Sequence, residues 1–127
     1  MLNLLFLVGI SQAADVYKIS RKATFQWYES NEQWVQRKGE AFPNTLMPTI
    51  IVYDDYITTD KLTLKYSSIT DDGDVKCYVI REDYNLCLER STERLVMQKT
   101  HKNGQIWLTE FRIALYNGYP ATPGSFK

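Results

Sequence analysis

After an uncharged opening stretch, apolar and polar residues alternate with period two along most of the chain. This is the pattern of β-strands that turn one face to a core. In residues 23–28, ATFQWY, the alternation sets Phe25 and Trp27 on one face and Thr24, Gln26 and Tyr28 on the other. Residues 32–38, EQWVQRK, read as a second strand or as one helical turn, since Ser30 and Asn31 are able to cap a helix. Residues 39–48, GEAFPNTLMP, read as loop: Gly39 interrupts the run, and Pro43 and Pro48 have no amide to donate to a ladder. TIIVY (49–53) and YITT (56–59) flank a tight turn at Asp54-Asp55, and KLTLKYSS (61–68) alternates Leu62, Leu64 and Tyr66 against polar neighbours. TDDGD (70–74) is a turn signal. ERLVMQK (93–99) and QIWLTEFRIALY (105–116) are joined by HKNG, where Asn103-Gly104 suits a turn with positive φ.

These runs predict about seven to nine short strands with turns between them and no long helix, hence an all-β fold. Consecutive hairpins fit an antiparallel meander, and closing it into a barrel of about eight strands leaves no exposed sheet edge. A two-sheet β-sandwich is the alternative. A barrel of that size has an interior its own side chains can fill, and the Trp, Phe, Tyr and Leu of this chain are bulky enough to do so. The expectation is a solid core rather than a roomy cavity. The arrangement resembles calycin-type barrels in architecture only, which assigns no function.

The opening stretch changes the compartment. MLNLLFLVGISQAA carries no charge; Leu2 to Ile10 is almost unbroken apolar sequence, and SQAA supplies the small residues a signal peptidase accepts. Residues 1–14 read as a secretory signal peptide cleaved after Ala13 or Ala14, although the usual basic segment before the apolar run is missing. The run is too short to span a bilayer comfortably. The expected organisation is a signal at 1–14, one β-barrel domain at 15–116, and a mobile, turn-rich tail at 117–127. The expected destination is the periplasm or the exterior, with no membrane span in the mature chain.

Export makes a disulfide permissible, and the two cysteines lie where one can form. If residues 75–91 make a hairpin turning at Arg81-Glu82-Asp83 with Ile80 opposite Tyr84, then Tyr78 faces Leu86 and Cys77 faces Cys87. Tyr78, Ile80, Tyr84, Leu86 and Leu88 then share one face and the cysteines meet on the other. Two cysteines and a single histidine cannot supply a four-ligand zinc site, and no Cys-x-x-Cys occurs. A structural disulfide is expected.

Composition narrows the rest. With 127 residues, fifteen basic against fifteen acidic side chains, and 44% hydrophobic content, this is a single folding domain with no basic excess for nucleic acid. His101 sits beside a turn, no Gly-x-Ser-x-Gly elbow or glycine-rich phosphate loop occurs, and TDDGD lacks the spacing of a calcium loop. No catalytic residue, metal or cofactor is expected. Two features suit protein recognition: Tyr53-Asp54-Asp55-Tyr56, which couples aromatic area to charge on a turn, and Arg90 with Arg94 on a modestly basic side. Both also read as ordinary solvated surface. The sequence therefore points to an exported barrel that binds another protein, such as an inhibitor, an immunity-type protein or an accessory subunit of an envelope complex. The alternative is a carrier or sensor subunit for a small hydrophobic ligand in a lipocalin-like barrel.

Overall fold

The computed structural model describes residues 14–122 and 124–126; apart from Ala14, the segment read as a signal lies outside them. Eleven strands follow one another: β1 (Asp15–Tyr28), β2 (Gln33–Ala41), β3 (Thr49–Val52), β4 (Tyr56–Thr58), β5 (Thr63–Lys65), β6 (Ser68–Asp71), β7 (Val75–Arg81), β8 (Tyr84–Glu89), β9 (Arg94–Thr100), β10 (Ile106–Tyr116) and β11 (Tyr119–Pro120). A single 3-10 turn, Asn44–Leu46, follows Pro43. All the pairings are antiparallel, in the order β5-β4-β3-β1-β10-β9-β8-β7-β6, with β2 added to β1 and β11 to β10.

The two ends of that path are consecutive in the chain. Between β5 and β6, the Tyr66 amide donates to the Asp55 carbonyl on the β4 side, and the Ser67 amide donates to Val79 on the β7 side. One bent segment thus serves both ends of the path, and the sheet curls into a small barrel-like fold, in keeping with the expected barrel. β2 and β3 together line one side of β1, so the ring counts about eight staves, in line with the expected meander. Its centre is filled by one cluster: Tyr17, Ile19, Ile50, Val52, Ile57, Tyr78, Leu86, Leu88, Leu95, Ile113 and Phe126.

The cysteine hairpin keeps the expected register by a different route. Arg81 pairs with Tyr84 across a two-residue turn at Glu82-Asp83, and a bulge between Val79 and Arg81 leaves Ile80 without an opposite partner. Tyr78 still faces Leu86, Cys77 faces Cys87, and the two sulfurs are bonded. Tyr78, Tyr84, Leu86 and Leu88 are buried while the cysteines lie half-buried on the outer wall.

Two other expectations need correction. EQWVQRK takes the first of its two readings, a strand; the loop expected from Gly39 begins three residues later, because Gly39, Glu40 and Ala41 pair with Ala23, Lys22 and Arg21 of β1. The break falls instead at Arg37, the extra residue of a bulge between the Thr24–Lys38 and Phe25–Gln36 pairs. The β1–β2 hairpin reaches beyond the barrel as a wing in which only Val35 of β2 is even half-buried. The segment expected to be a mobile tail folds back in its described part: β11 pairs with Leu115 and Tyr116, and Phe126 is buried against Tyr17 and Tyr116.

Candidate functional site

Six of the nine tyrosines gather at one end of the barrel, brought there by five different segments. Tyr53 and Tyr56 bracket the β3–β4 turn, and the Tyr53 amide donates to the Tyr56 carbonyl. This closes the turn tightly enough for the two rings to stack, centroids 4.5 Å apart and planes 16° from parallel. Asp54 and Asp55, between them, are exposed. The Tyr66 hydroxyl donates to the Tyr53 carbonyl, and its ring meets Tyr78 edge-on at 5.1 Å. Burial, with Asp54 and Asp55 nearby, raises the Tyr66 pKa above the usual phenol value. The turn is therefore fixed from beneath by a neutral phenol rather than left to move.

Deeper in the same end, the Tyr116 hydroxyl donates to Asp15 at 2.7 Å. Burial and that bond push the Tyr116 pKa up to about 12. Beside the tip lies a shallow concavity of about 380 Å³ bordered by Tyr53, Asp54, Tyr66, Ile69 and Lys76. Ile69, on the edge of this concavity, is 46% exposed, an apolar side chain in a polar rim.

The two arginines do different work from the tip. Arg90 comes to this end of the barrel, but its guanidinium is engaged by its own chain. It makes paired bonds of 2.8 and 2.9 Å to the Asp71 carboxylate, and it also donates to the carbonyls of Gly73 and Phe126. Bidentate charge-assisted pairing of this kind is strong and directional. It holds the Asp71 carboxyl down at about 2, with the Gly73 amide contributing a second bond. Arg90 is thus a clasp between the β6–β7 turn and the C-terminal segment. Arg94 stands on the outer wall, bonded to Glu89 at 2.7 Å and to Glu110. The structure brings Tyr53, Asp54, Asp55 and Tyr56 together as a turn with exposed carboxylates and half-buried tyrosines, and commits Arg90 and Arg94 to internal ion pairs.

Tyr66 and Ile69 were not legible as members of this end. They sit in a separate run, and only the pairing of β5 with β4 sets Lys65 opposite Tyr56. The one available signal was the alternation in KLTLKYSS, which marks a strand but not its neighbour. At the opposite end His101 is exposed in the β9–β10 turn, edge-on to Trp107 with centroids 6.2 Å apart. Among the described residues no three His, Cys, Asp or Glu side chains gather as a metal site. No described helix is long and apolar enough to cross a membrane. Comparison with family models, curated proteins and solved structures gave no match to this chain.

Proposed function

We propose that this chain is an exported binding module that recognises another protein through the tyrosine-rich end of its barrel, as an inhibitor, immunity-type protein or accessory subunit would. The observation that carries the reading is the stacked Tyr53–Tyr56 pair with Asp54 and Asp55 exposed beside it. Stacked tyrosines offer rigid contact area whose ordering entropy is already spent, and adjacent carboxylates steer a basic partner and fix its register. Exposed Ile69 extends the apolar part of the surface. The filled barrel centre supports recognition by the exterior over a ligand carried inside.

Export enters the proposal through the apolar opening stretch and the Cys77–Cys87 bond, which oxidising compartments permit. Terminal sequencing of the natural protein is expected to begin at Ala14 or Asp15, and recovery of the intact start in the cytosol would remove this part.

The binding reading is tested by affinity capture from envelope extract with the folded protein and with a Tyr53→Ala/Tyr56→Ala variant. A partner held by the natural surface is expected to be lost with the variant and kept by Leu46→Ser, a change at an exposed residue of the 3-10 turn. Partners captured equally by all three proteins, or no partner at all, would overturn it. Replacing Asp54 and Asp55 by Asn is expected to slow association and flatten its salt dependence more than it changes dissociation.

A further inference from the structure

A second surface, away from the tyrosine tip, has the makings of a small-molecule site. Where the wing leaves the barrel, a cleft of about 310 Å³ opens between β1, β9 and β10 on one side and the turns around Pro48 and Asp60 on the other. Its walls are Phe42, Ile50, Met97 and Phe111. That volume stands at the small end of ligand sites, about 300–1,000 Å³, and apolar walls with a few polar groups are their usual lining. Leu62 forms the lip and is 50% exposed. This exposure is built in: the Thr59 hydroxyl accepts the amides of Lys61 and Leu62, fixing the turn that presents the side chain.

The charges decide what the cleft would take. Lys22 lies directly opposite Phe111 in the β1–β10 register and is half-buried on the cleft wall. Among the described residues it has no carboxylate within ion-pair distance and its ammonium makes no hydrogen bond. The neighbouring cation Lys18 is different, for its Nζ donates to the Thr49 hydroxyl at 2.6 Å. Asp60, the one acidic side chain among the described residues that line the cleft, accepts the Thr49 amide and has Lys61 next to it in the chain. A half-buried ammonium beside an aromatic ring that pairs with neither Asp60 nor Glu40, its cross-strand neighbour on β2, favours an anion that also brings apolar surface.

We infer that the cleft binds an amphipathic carboxylate: a carboxylate paired with Lys22, and a short aliphatic chain or single ring lying along Phe111 and Met97 under the Leu62 lip. The inference does not depend on the protein-binding reading, which uses the other end of the barrel.

The test is titration of the 15N-labelled full chain with octanoate and, in parallel, 1-octanol, which has the same tail without the charge. Octanoate is expected to shift the amides of Lys22, Leu62 and Phe111 and to bind about ten-fold or more tightly than octanol. Lys22→Met keeps the stem and removes the charge; it is expected to bring octanoate down to the octanol level and leave octanol unchanged. Leu62→Ser, at an exposed position, is expected to weaken both ligands. Equal binding of octanol, undiminished octanoate binding by Lys22→Met, shifts confined to other residues, or no binding would each overturn the assignment.

Discussion

Two hairpins of this molecule look alike as sequence and differ in what they do. β7–β8 and β1–β2 each hold an alternating run, YNLCLE in β8 and ATFQW in β1, both carry large aromatics, and both contain a bulge. In β7–β8 the inward positions Tyr78, Tyr84, Leu86 and Leu88 are buried, and a disulfide crosses the outer face. In β1–β2 the pairing is as regular, yet Trp34 remains 39% exposed, and among the described residues its one aromatic partner is Trp27, edge-on at 5.3 Å. Alternation therefore reports that a segment is strand with two unlike faces. Whether the apolar face finds a core depends on what lies across from it, which is a property of the whole topology.

This comparison can be broken most sharply by truncation. Leu86→Ala is expected to cost about 2–5 kcal/mol in denaturant unfolding, because it empties a fully enclosed position at the barrel centre. A loss below about 1 kcal/mol would mean that β8 is not the anchored partner the contrast requires.

Removing the outer staple with Cys77→Ala/Cys87→Ala is expected to cost about 2–3 kcal/mol, chiefly by restoring freedom to the unfolded chain. For a domain of this size that lowers Tm by about 8–12 °C. An unchanged Tm would show that the hairpin is held by packing alone.

Acid sharpens the contrast next, since the clasp beside β7 titrates and the wing has no counterpart to it. The folded Asp71 carboxyl sits at about 2, below its ordinary value, because Arg90 and the Gly73 amide stabilise the anion. A depressed carboxyl adds stability above its unfolded pKa and loses it as the pH falls toward the folded one. The protein is thus expected to weaken between about pH 4 and pH 2. Asp71→Asn is expected to be less stable at neutral pH and to show a shallower acid limb. An acid limb identical in both proteins would remove the clasp from the account. Last and smallest, Trp34→Ala is expected to cost about 1 kcal/mol or less; a loss equal to that of Leu86→Ala would make the wing part of the core.

Much of the barrel was legible because its signals are local. The cysteine register follows from counting back from a turn, and the bulge at Ile80 preserves it even though the turn is one residue tighter than expected. Gly104, at φ +87°, takes the left-handed conformation that HKNG required. The aromatic turn at residues 53–56 was visible for the same reason. What escaped was non-local. Nothing in the final residues marks Phe126 as core, for one apolar residue in a polar run has no period. Its burial depends on the socket formed by Tyr17 and Tyr116, and on Arg90 gripping its carbonyl. Arg94 read as free surface because its partners, Glu89 and Glu110, approach only when β8, β9 and β10 lie side by side.

The segment shared between β5 and β6 makes the ring a belt with a buckle. It is held by three residues toward one neighbour and four toward the other, whereas β1 runs through fourteen. Breathing of the native state should start there, so the amides of Tyr66 and Ser67 should be among the first in the ring to exchange with solvent deuterium. A partner that grips the tyrosine tip also grips this buckle, because the Tyr66 hydroxyl is bonded to Tyr53, and so would slow the opening of the whole belt.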